Sequence, residues 1–141
     1  MGGIPPHMTT VTEILEAHPV RDDIDDAVLA ACIQACAECT QACTSCADAC
    51  LGESGVEHLV ECIRADLDCA DLCSITERVL LRRTEAGIAV VRKTLEACAV
   101  ACATCADECA KHADLHQHCR ICADVCRQCE EACRALLLVL G

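Results

Sequence analysis

The chain of 141 residues contains no phenylalanine, tyrosine or tryptophan. Aromatic rings normally carry much of the apolar area that a core buries, so something else must fill the interior here. Basic residues are scarce. Eleven Lys and Arg face 23 Asp and Glu, for a net charge of −12, which argues against nucleic acid as a partner, because phosphate binding needs a basic surface. No run of about 18 apolar residues occurs, so no membrane span is expected. Residues 1–19 lack a basic stretch followed by an apolar one, so they do not read as a secretory signal. Pro6 stands where a myristoylation motif would place Ser or Thr. The expected location is the cytoplasm, where thiols stay reduced.

Against these absences stand 18 cysteines, about one residue in eight. The hydrophobic fraction of 54% is misleading, since it includes 23 alanines and those cysteines, and only 33 residues are Val, Ile or Leu. The length suits one domain. In a reducing compartment such a cysteine load points to metal binding or redox chemistry rather than to disulfides.

The local pattern is helical throughout, rich in Ala, Leu, Glu and Arg and with no proline in the interior of any segment. Residues 1–8 read as a loose tail, and Thr10–Ala17 as a short helix stopped by Pro19. Residues 1–19 are thus taken as a tail with a short helix, and residues 20–141 as the main body. Four long helices are expected over 22–51, 56–83, 87–111 and 115–140, with turns at 52–55 and 84–87. Short loops between long helices make neighbours antiparallel. The expected fold is all-α, an up-down-up-down four-helix bundle with a short N-terminal helix. Residues 31–39 and 97–105 repeat one cysteine pattern, as in two related hairpins.

The cysteines lie in register with this architecture. The first long helix carries Cys32, Cys36, Cys39, Cys43, Cys46 and Cys50, the third Cys98, Cys102, Cys105 and Cys109, and the fourth Cys119, Cys122, Cys126, Cys129 and Cys133. The second has Cys62, Cys69 and Cys73, with Asp66 at the vacant stripe position. Steps of three and four residues put each set on one helix face. Those stripes continue into apolar residues, so the cysteines face the core. Sixteen of the 18 form eight CxxxC pairs, leaving Cys62 and Cys119 over. Cβ atoms at i and i+4 lie about 5–6 Å apart, so one helix can offer two thiolates to one ion. Thiolate-rich sites select soft metals, above all Cu(I), with zinc and iron–sulfur clusters as competitors. Small buried thiols packed as ordinary core are the plainer reading, but eight stacked pairs exceed what packing needs.

The topology also predicts two unlike ends. Ile24, Val28, Leu29, Val79, Leu80, Ile88, Val91, Leu95, Leu136, Leu137 and Leu140 gather at one end as an apolar plug. Cys50, Cys62, Cys109 and Cys119 gather at the other, with His58, His112, His116 and His118. His112, His116 and His118 are read as exchangeable ligands at a mouth. His58, His7 and His18 are read as surface residues.

The stacked CxxxC pairs, together with the segment running from His112 through His116 and His118 to Cys119, make residues 20–140 resemble the cysteine-rich four-helix-bundle copper storage proteins, in their cytosolic branch. Exported members carry signal peptides and Met-rich mouths, neither of which is expected here from the reading of residues 1–19 and of the His-bearing end. The resemblance implies a core filled by many Cu(I) ions, the three histidines near its mouth, and a homotetramer. The expected function is non-catalytic storage and detoxification of Cu(I) held by the 18 cysteine thiolates. The competing expectation is an iron–sulfur or thiol redox carrier on the same scaffold.

Overall fold

A computed structural model of the protein describes residues 10–84 and 87–140. The expected loose tail over 1–8, and part of the expected 84–87 turn, lie outside the described residues. Among the described residues there are five α-helices: α1 (Thr10–Ala17), α2 (Asp26–Leu51), α3 (Val60–Leu81), α4 (Ile88–Ala110) and α5 (Gln117–Leu140), with a 3-10 turn at Val56–His58 before α3. Among the described residues there is no strand, and no helix is long and apolar enough to cross a membrane.

The helix ends depart from the expected boundaries for local reasons. The acidic run at 22–26 does not all enter the first turn. Asp25 is the N-cap, and its side chain accepts from the Ala27 amide at 2.8 Å, satisfying one of the free donors at the helix start. Asp22 stays outside and accepts instead from the Ile24 amide and from Arg83. Residues 56–58 form the 3-10 turn rather than α-helix, and α3 begins at Val60 and ends at Leu81. The last helix starts at Gln117, two residues later than expected, after Leu115 has turned out to 81% exposure.

α2 and α4 each pack along both α3 and α5, so the four long helices form a square with α2 and α4 on one diagonal. Their direction is marked by the thiols. Cys32, early in α2, meets Cys133, late in α5, at 3.8 Å, while Cys46, late in α2, meets Cys119, early in α5, at 3.9 Å. Likewise Cys62 of early α3 meets Cys109 of late α4 at 3.3 Å, and Cys73 meets Cys98 at 3.8 Å. Neighbours are therefore antiparallel, as the short connections require.

The apolar end is built from Leu29, Leu80, Val91, Leu95 and Leu136, all buried. Ile24, Val28, Val79, Leu137 and Leu140 are half-buried against them. Ile88 departs from the expected plug: it is 50% exposed, because α4 has only begun there and its first turn lies at the rim. What the pattern did not supply is the role of α1. Leu15 is 1% exposed and belongs to the same buried cluster as the bundle core. Arg83, 6% exposed overall, ties this corner together. Its guanidinium lies 2.8 Å from Asp22, 3.3 Å from Asp26 and 3.4 Å from the Leu15 carbonyl. Arg21 donates to the same carbonyl at 2.8 Å.

Candidate metal centre

The bundle axis is lined by sulfur. All 18 cysteines are free thiols, and none is more than 1% exposed. The i,i+4 spacing brings partners on one helix together: Cys39 and Cys43 lie 3.8 Å apart, and Cys69–Cys73, Cys105–Cys109 and Cys122–Cys126 each 3.9 Å. Contacts between helices are as short. Cys39 lies 3.7 Å from Cys69 and 3.6 Å from Cys126, Cys43 3.5 Å from Cys126, Cys73 3.7 Å from Cys102, and Cys129 3.7 Å from Cys36. Two metal–sulfur bonds of about 2.3 Å span about 4.6 Å in a line, and about 4.0 Å when they meet at 120°. The thiols stand slightly inside that range, so metal would spread the core rather than rebuild it.

Groups of four ligand atoms recur along the axis within 4.8 Å of one another. They include Cys36, Cys98, Cys129 and Cys133; then Cys39, Cys69, Cys73 and Cys102; then Cys43, Cys105, Cys122 and Cys126. A fourth group, Cys39, Cys43, Cys69 and Cys126, shares members with its neighbours. Isolated structural zinc sites are closed four-ligand sets. A column in which one thiol serves two groups suits bridging thiolates and many soft monovalent ions instead.

Asp66 interrupts the column. It is fully buried, and its Oδ1 accepts from the thiols of Cys105 at 3.0 Å, Cys122 at 3.2 Å and Cys109 at 3.4 Å. Burial, reinforced by the Cys122 sulfur, pushes its carboxyl up to about 8. Toward the mouth, burial pushes the Cys50 thiol up to about 11 and raises that of Cys119 as well.

The histidines divide. His118, at the start of α5, points Nδ1 at the sulfurs of Cys46 (3.5 Å) and Cys119 (3.6 Å). With Cys50 these form a mixed group of three thiols and one imidazole. Its Nε2 lies 2.8 Å from Oε2 of Glu53. His116 places Nδ1 3.1 Å from that same oxygen and stacks on His118 with ring centroids 5.3 Å apart. His112 has its Nε2 3.2 Å from Oε2 of Glu108. His58 is exposed beside Glu57, and His18 accepts from the Val20 amide. The mouth is not an open channel. Leu59 is buried in the core cluster at this end, and His112, His116, His118 and Glu53 there are partly exposed.

Two residues here are not evident from sequence spacing. Glu53 falls in a stretch that reads only as a turn; the signal available is an acid three residues past Cys50, on the loop that antiparallel packing sets opposite the 112–118 loop. Asp66 is visible as a gap in a stripe, but spacing alone does not report that three thiols converge on it.

The fold and the sulfur column define a class: a helical bundle whose core is a multinuclear thiolate site for soft metal ions. The family model described as "Copper storage protein" matches residues 25–138. The copper storage protein Ccsp of Streptomyces lividans, in a structure loaded with 10 copper equivalents, is 51% identical. It superposes with a TM-score of 0.90 over 92% of this chain and 98% of that one. The apo form of copper storage protein 3 from Bacillus subtilis is 38% identical, with a TM-score of 0.65 over 76% and 96% of the two chains. The cysteine-rich protein YhjQ of Bacillus subtilis strain 168 is 39% identical over 106 residues, covering 75% of this chain and 93% of its own length. The chain belongs to the copper storage protein family.

Proposed function

We propose that this protein stores Cu(I) in the cytoplasm, holding many ions on the 18 core thiolates and exchanging them at the end that carries His112, His116 and His118. The observation that carries the reading is the sharing of thiols between successive four-ligand groups. A storage core must accept a variable number of ions, and shared sulfurs let it fill in steps without a fixed set of closed sites. The relative from Streptomyces lividans, with its 10 copper equivalents, supports the same assignment. No catalytic step is invoked, since the thiols are enclosed and serve as ligands. Residues 20–141 form the storage unit, and residues 1–19 are accessory to it.

We further assign a homotetramer as the working assembly. Leu67 (49%) and Ile75 (46%) on α3, and Val90 (62%) and Val100 (61%) on α4, leave apolar side chains outside the bundle that a neighbouring copy would cover.

Anaerobic titration with Cu(I) against a chromophoric competitor tests the reading. More than four tightly held ions per chain, with a colourless ultraviolet thiolate band, is expected. Fewer than about four ions, given eight thiol pairs, overturns it, and a brown chromophore after native purification transfers the assignment to an iron–sulfur carrier. Sedimentation of the same samples gives the assembly.

A further inference from the structure

Glu53 occupies a position that its sequence context does not explain. It follows the α2 C-cap Gly52, and its own amide bonds back to the Cys50 carbonyl at 3.2 Å, which fixes it at the end of the sulfur column. Its Oε2 lies 2.8 Å from His118 Nε2 and 3.1 Å from His116 Nδ1. A carboxylate only accepts hydrogen bonds, so the nitrogen facing it must carry the proton. In a neutral imidazole the other nitrogen is then the lone-pair donor. For His118 that other nitrogen is Nδ1, which faces Cys46 and Cys119 at 3.5 and 3.6 Å.

We propose that Glu53 is the positioning residue of the mouth site: by accepting from His118 Nε2 it fixes the ring's tautomer and rotation and presents Nδ1 to an ion arriving at Cys46, Cys50 and Cys119. The inference rests on the copper reading above and deepens it. A histidine ligand held through its second nitrogen by a carboxylate is oriented before the metal arrives, and removing such a partner commonly costs about ten-fold or more in affinity or activity. His116 shares the same oxygen, so one carboxylate holds both stacked rings. A merely attractive negative charge would need no such geometry, because Glu53 already lies on a chain of net charge −12.

The test uses the full chain, copper-free and then loaded from Cu(I)–bicinchoninate. In the copper-free protein, the wild type should show a downfield imidazole N–H proton resonance, assigned by its disappearance in His118→Ala. Glu53→Ala should lose it, and Glu53→Gln, which keeps an acceptor oxygen, should retain it. Uptake of the first Cu(I) equivalent should slow about ten-fold in Glu53→Ala, with recovery in Glu53→Gln and unchanged final capacity. Adding Glu53→Ala to His118→Ala should cause no further slowing, because the two act as one unit. A persisting resonance in Glu53→Ala, wild-type uptake by that variant, or an equal extra loss in the His118→Ala background would each overturn the assignment. The resonance is read without copper, so it reports on the Glu53–His118 bond whether or not the wild-type core fills.

Discussion

A single carboxyl at the middle of the sulfur column illustrates how far burial changes a side chain. Asp66 has no solvent exposure and collects three thiol hydrogen bonds on one oxygen. Its carboxyl is pushed from the ordinary 3.8 up to about 8, chiefly by burial. The folded chain therefore keeps a proton there that the unfolded chain releases from about pH 4 upward. Folded-state proton binding stabilises at low pH, and that contribution is lost as pH rises through the window from about 4 to about 8. Thermal unfolding of the copper-free protein should show stability falling by roughly 1 kcal/mol per pH unit between about pH 5 and 7.5. Asp66→Asn, which does not titrate, should flatten this slope relative to the wild type. An unchanged slope in that variant would mean that Asp66 is already ionised in the folded state.

At the scale of elements, the seam of cysteines was readable because a step of three and four is set by helix geometry, whatever the side chain. The two unlike ends followed from the same register once the helices were taken as antiparallel. Leu29, Leu95 and Leu136 lie buried at the apolar end as that register requires. The helix starts were less legible, because an acidic run at 22–26 supports several N-caps equally and only local geometry selects Asp25. Least legible was the docking of α1, which depends on a tertiary ion pair. Arg83 falls at the end of a helical pattern and looks like a solvated C-terminal base, yet its side chain is 2% exposed and reaches Asp22, Asp26 and the Leu15 carbonyl. Arg83→Ala removes that clasp while leaving its acids partly in solvent, so the expected cost is about 1–3 kcal/mol, below that of a fully buried pair. Hydrogen exchange should localise the effect. The α1 amides should lose protection while the centres of α2–α5 keep theirs, and Cu(I) capacity should be unchanged. Uniform loss of protection across the bundle would show α1 to be part of the cooperative core.

For the whole molecule the governing quantity is charge. The chain carries −12 with its thiols neutral, and ionising all 18 within one narrow core would take it to −30. Buried anions at such spacing are prohibitive without cations. Burial raises the Cys50 and Cys119 thiols at the mouth, while the hydrogen bond from Cys109 lowers that of Cys62 beside them. Filling the core must then be an exchange in which each Cu(I) that takes a thiolate displaces a proton, since metal ligation requires the deprotonated sulfur. At one proton per copper the exchange leaves the net charge of the core unchanged, and at two it adds one negative charge per ion, so the bridged limit is the one that lets the fold hold many ions. Two thiolates per ion would release close to two protons for each copper at low loading. As bridging sulfurs are reused, the ratio should fall toward about one. Titration of Cu(I) into a weakly buffered solution with a pH indicator reads this ratio directly. A ratio that begins near two and declines with loading is the signature of a shared-thiolate core filling in steps. A ratio fixed near four from the first addition would instead describe closed four-thiolate sites, each filled once.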